Sequence, residues 1–95
     1  MRKTLVTLAA CLVLTACGTK GADPEASLQT LHNKGLDISM GMFEKYGEQT
    51  CDMAEAGNDF ETMVDIAKIE TGATTSQAQT FVWLSIATFC PDVDA

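Results

Sequence analysis

Met1-Arg2-Lys3 is followed by a run from Thr4 to Ala16 that carries no charge, and this leader sets how much chain is left to fold. Two positive residues before a short apolar stretch are the pattern of a secretory signal. The run is 13 residues long, whereas a membrane-spanning helix needs roughly 20. It also lacks the polar face of a helix packed on one side of a core. Residues 1–16 are therefore expected to be a discarded signal, residues 17–23 a small polar tether, and residues 24–95 the folding unit. A chain of 95 residues holds one compact domain and has no room for a nucleotide-binding α/β unit or a barrel. With 46% hydrophobic and 20% charged residues, the chain is not a disordered polar tail.

The run ends in Leu14-Thr15-Ala16-Cys17-Gly18. This resembles the lipobox of bacterial lipoproteins, in which an aliphatic residue and two small residues precede an obligatory cysteine. The resemblance implies cleavage before Cys17 and transfer of a diacylglyceryl group to its thiol. Leu8-Ala9-Ala10-Cys11 fits the same four positions. Cleavage there would leave an apolar core of only about six or seven residues, at the short limit of the usual length of about 7–15, and leave Leu12 to Ala16 as an apolar stub. Cys17 is accordingly the lipid-attachment residue. Two acyl chains hold a protein stably on a bilayer where one does so only marginally. The expected location is a cell membrane, anchored by palmitate-type lipid and facing the extracytoplasmic side.

Without the leader, four lysines (Lys20, Lys34, Lys45 and Lys68) stand against 13 acids, a formal charge of −9 with no arginine. Nucleic acid is thereby excluded as a partner, because phosphates need a basic face. The absence of guanidinium groups also weighs against carboxylate and phosphate clamps. Adhesion to anionic lipid by charge alone is excluded for the same reason.

From Asp23 onward the chain is punctuated as helices. Gly35, Gly57 and Gly72 each follow a helical stretch, Pro91 follows the last, and no segment alternates with period two. The fold class is all-α, a small bundle of about four short helices. The first is expected over Pro24 to Lys34 with Asp23 as cap, and the second over Ile38 to Ala56 with Asp37 as cap. The third is expected over Asp59 to Thr71, with Asn58 and Glu61 as a capping box. The fourth is expected over Thr75 to Cys90, with Thr74 and Gln77 as another. Phe81 to Phe89 is apolar nearly all round, which places the fourth helix at the centre. Gly41 and Gly47 lower the stability of the second helix by about 1 kcal/mol each relative to alanine. They serve either close helix approach or, at Gly41, a loosened first turn.

Cys51 and Cys90 remain after processing. An exported chain meets an oxidising space, where two thiols pair. A zinc site needs more ligands than these, and a redox pair usually shows C-x-x-C spacing. The expected bond is a structural disulfide, which matters in a domain this small.

The opening Leu28…Leu31…Gly35-Leu36, Cys51 inside the second helix, Gly57 after it, the helix start Thr74-Thr75-Ser76-Gln77-Ala78 and the ending Cys90-Pro91 together resemble a family of small exported actinobacterial proteins, domain of unknown function 732. The resemblance runs from about Leu28 to Pro91. It implies a compact α-helical domain with Cys51 bonded to Cys90, and it transfers no activity. Related lipoproteins in phage genomes make a phage or prophage origin part of what the resemblance implies.

No residue set points to catalysis, a metal or a cofactor. His32 has no partner at helical spacing and is expected at the surface. Glu44, Glu48 and Asp52 step by four along the second helix, with Glu55 beyond. They form a solvated face or, alternatively, a docking surface for a cation or a basic partner. Met40, Met42, Met53 and Met63 suit a small helical core or an adaptable binding surface. Trp83 is either fully buried or, exposed beside these methionines, the mark of a partner or ligand groove. The functional expectation is a non-enzymatic binding or interaction module of the cell envelope with an envelope protein as partner. The alternative is a phage-encoded envelope lipoprotein that excludes superinfecting phage.

Overall fold

The computed structural model describes residues 21–93, so the leader and Cys17 lie outside the described residues. Four helices follow one another: α1 (Pro24–Asn33), α2 (Met40–Glu55), α3 (Phe60–Thr71) and α4 (Thr75–Phe89). Among the described residues there is no strand, and the all-α bundle inferred from punctuation is the fold observed.

The helix ends follow from local chemistry. Asp23 accepts a hydrogen bond from the Ala26 amide at 3.0 Å, with Pro24 pre-set for the first turn. Thr74 and Gln77 form the reciprocal capping box, each side chain accepting from the other residue's amide. Gly35, Gly57 and Gly72 all have positive φ, 92°, 91° and 73°, a region where any side chain with a Cβ is strained.

Two caps differ from the sequence expectation. The second helix starts at Met40 with Ser39 as its cap, accepting from the Met42 amide at 3.1 Å. Leu36 and Ile38 both turn into the core, so the chain stays extended between them and Asp37 is left pointing outward. At α3 the cap is Asp59, which accepts from the Thr62 amide at 2.8 Å. Asn58 instead closes α2: its backbone and side-chain N–H groups both donate to Met53 O at 3.0 Å. An asparagine just past a helix can bond back as readily as forward, and here the uncapped carbonyls of α2 take it.

Helix α4 packs against each of the other three helices and is central, as its composition implies. Phe81, Val82 and Ala78 on α4 are fully buried, facing Leu31 of α1, Phe43 of α2 and Met63 of α3 within one core. The Phe43 ring meets Phe81 edge-on at 5.8 Å and Phe89 at 5.0 Å. Such pairs contribute about 0.5–1.5 kcal/mol each beyond area burial. Gly47 makes the α2–α4 approach possible: a Cβ there would lie 2.5 Å from the Phe89 ring. Gly41 has no such role, because a Cβ there meets only Ser39 Oγ at 3.8 Å. The buried hydroxyls of Thr50 and Ser85 donate to carbonyls one turn back, Tyr46 O and Phe81 O, which satisfies them without a cross-helix network.

Cys51 and Cys90 form a disulfide between α2 and the end of α4, across 39 positions of sequence. Beside it the chain entering α1 is fastened. The Ala22 amide donates to Ala87 O at 2.8 Å, and Ser27 and Thr88 hydroxyls pair at 2.9 Å. Gly21 sits so close to α4 that a Cβ would lie 2.6 Å from Thr88 O and 2.7 Å from Ala87 O. The last residues of the segment read as a tether are thus packed against the domain.

Candidate functional site

Among the described residues two large apolar side chains lie exposed, Trp83 on α4 and Ile69 on α3. Trp83 is 58% exposed although it lies mid-way along the most apolar helix. Of the two positions open to it from sequence, buried or exposed, Trp83 takes the exposed one. On α4 it continues the row Thr75–Gln79–Trp83, spaced by four, which turns away from the core while Ala78, Phe81 and Val82 turn in. Its indole rests on the ring of Phe60, the first residue of α3, with centroids 5.6 Å apart. The methionines are not its setting: Met63 is in the core, and Met40, Met42 and Met53 are half-buried against it.

Next to this aromatic pair an open groove of about 230 Å³ lies between α3 and α4. Three rows with a spacing of four build it. Phe60 and Val64 form the apolar floor, Glu61 and Asp65 one rim, and Thr75 and Gln79 the other. Pockets for drug-sized ligands and cofactors usually measure about 300–1,000 Å³. At about 230 Å³ this groove is smaller than that range. Ile69, 84% exposed, follows Asp65 by one turn on α3 and extends the apolar character of the edge.

The electrostatics of the groove are negative. Its helix N-termini, which would attract anions, are already answered by Asp59 and by the Thr74–Gln77 box. The Asp59 carboxylate is held below its ordinary value by accepting hydrogen bonds from Thr62, side chain first and backbone second. Among the described residues, the sole contact within 4 Å between a basic and an acidic side chain is His32 to Asp37, at 3.8 Å. Glu61 and Asp65 thus face the groove without a cation beside them.

The other residues singled out from sequence take quieter positions. His32 Nε2 lies 2.8 Å from Ile38 O and donates to it, latching the α1–α2 connection. Glu44, Glu48, Asp52 and Glu55 are all exposed on α2, as a solvated face requires. Gln49 Nε2 donates to Glu70 Oε2, joining α2 to α3. Among the described residues no three His, Cys, Asp or Glu side chains converge as a metal site. No helix among them is long and apolar enough to cross a membrane.

Sequence reasoning did not find the groove. In the sequence Glu61 reads as part of a capping box, and Phe60, Val64, Asp65 and Gln79 carry no reading of their own. The signal was present in the row Thr75–Gln79–Trp83, where two polar residues at helical spacing mark the outward side of α4.

Comparison with known proteins adds a family and no activity. The family model described as "Protein of unknown function (DUF732)" matches residues 23–92, the whole helical domain. No curated protein and no solved structure matches the chain.

Proposed function

The chain belongs to the DUF732 family of proteins of unknown function, and from that premise we propose that it is an exported lipoprotein whose helical domain is a non-enzymatic binding module of the cell envelope. The observation that carries the binding role is the exposed Trp83–Phe60 pair beside a groove. A large aromatic left in water on an otherwise well-packed bundle is a cost to solubility that a contact surface explains. The sequence from Met1 to Cys17 supports the export and the anchor: a charged start, a short apolar core and a lipobox-like end. Cys17 carries the lipid in this reading, and the domain stands on the extracytoplasmic side, where the Cys51–Cys90 bond is stable.

Two measurements test the two halves. Metabolic labelling with palmitate is expected to mark the full chain and to leave Cys17→Ser unmarked. A cytosolic, unlabelled protein that keeps Met1 would end the anchoring reading. A photo-crosslinking residue at position 83 is expected to capture a defined envelope protein that the same residue at position 44, on α2, does not. Equal capture at both positions would remove the α3–α4 face as the contact surface.

A further inference from the structure

The binding-module reading leaves the partner's chemistry open, and the groove narrows it. Resting on that reading, we propose that the α3–α4 groove receives a basic side chain, lysine or arginine, presented by a partner protein. The cationic head sits between Glu61 and Asp65, and the aliphatic stem lies on Phe60 and Val64, beside the Trp83 ring that stacks on Phe60.

Four observations converge on this occupant. Glu61 and Asp65 are one turn apart on α3 and line the same rim, so they repel each other slightly until a cation arrives. No basic side chain of the described chain lies within 4 Å of either, Lys68 one turn further along α3 included. The aromatic ledge adds attraction for the same group: an ammonium or guanidinium near a Trp or Phe face gains cation–π energy, and Trp is the strongest of the rings. The apolar floor suits the methylene stem of a long basic residue, which buries its carbons and leaves the charge at the edge.

The same features turn other occupants away. An anionic ligand would meet two carboxylates and find the helix N-termini already capped by Asp59 and Thr74. A second copy of the chain would bring another strongly acidic surface toward this one. A basic segment of a partner, by contrast, is steered in by the negative field of the whole domain.

Trp83 is the sole tryptophan of the chain, so its fluorescence reports on this site alone. The test titrates the full lipidated chain, in non-ionic detergent at physiological salt, with an acetylated hexa-arginine peptide and with hexa-glutamate. Hexa-arginine is expected to shift the Trp83 emission saturably and hexa-glutamate to leave it unchanged. E61Q/D65N is expected to weaken hexa-arginine binding by about tenfold. E48Q/D52N, with the same loss of charge on the exposed face of α2, is expected to stay within about twofold of the parent. All four positions are exposed, and unchanged thermal melting confirms that both variants fold. Equal weakening in the two variants reduces the effect to bulk charge and overturns the proposal; so does the absence of saturation. If crosslinking at position 83 still captures a defined partner while hexa-arginine fails, the binding module stands and a basic occupant falls.

Discussion

The two long sides of α4 are built to opposite ends. Toward α2 it is closed: Phe43, Phe81 and Phe89 interlock, Gly47 lets the helices approach, and the Cys51–Cys90 bond ties the end. Toward the outer edge of α3 it is open: Phe60 and Trp83 stack in partial contact with water, and carboxylates rim a groove. One helix thus supplies both the anchor of the core and the unfinished surface. The contrast teaches that exposure of Trp83 is not a shortage of core, since the neighbouring Val82 and Phe81 on the same helix are wholly buried.

If the α2–α4 side holds the fold, damage there must be expensive and damage on the open side cheap. The largest expected effect is loss of the disulfide. Cys51→Ala with Cys90→Ala is expected to lower unfolding free energy by about 4 kcal/mol on the chain-entropy account of a loop this long, read from urea denaturation. Next is Gly47→Ala, where the new Cβ meets the Phe89 ring. Overpacking of about 1–3 kcal/mol outweighs the gain in helix propensity of about 1 kcal/mol, so a net loss in thermal stability is expected. Gly41→Ala, with free space at its Cβ, should raise stability instead, and equal behaviour of the two variants would dissolve the contrast. Thr74→Ala removes the capping box of α4 and is expected to cost about 1 kcal/mol. Trp83→Ser on the open side, which removes the stacking on Phe60, is expected to cost no more than about 1 kcal/mol while abolishing partner capture by a photo-crosslinking residue placed at Gln79 of the groove.

The smallest effect is a pH dependence at the α3 cap. Asp59 is held below its ordinary value of 3.8 by its bonds to Thr62. A lowered folded-state value means that the carboxylate's contribution is fully present above 3.8 and is lost as the pH falls through that value and below it. The difference in melting temperature between the parent and Asp59→Ala is therefore expected to be flat at neutral pH and to shrink in acid. A difference independent of pH would assign the cap no role for charge.

Much of this architecture is written locally. Asp23-Pro24, Thr74…Gln77 and the three end glycines fix helix termini by interactions within a few residues, and these are the boundaries that sequence reasoning places well. Ser39 and Asp59 are harder to read as caps because each competes with a neighbouring capping residue, Asp37 or Asn58. The choice between them is made by what else is buried: Ile38 in one case, the carbonyls closing α2 in the other. The groove is less legible still. Its floor and rims come from two helices, and the composition of α4 hides a polar row inside an apolar segment. Trp83 reads as core by residue type and as surface only by its register with Thr75 and Gln79.

The fastening of Gly21 and Ala22 to the last turn of α4 has a mechanical consequence. Any load applied through the N-terminal side reaches the domain beside the Cys51–Cys90 crosslink, not at the free end of α1. Tension first strains one backbone hydrogen bond to Ala87 and the Ser27–Thr88 pair, next to a point where the chain is covalently closed. The bundle is gripped beside its covalent crosslink.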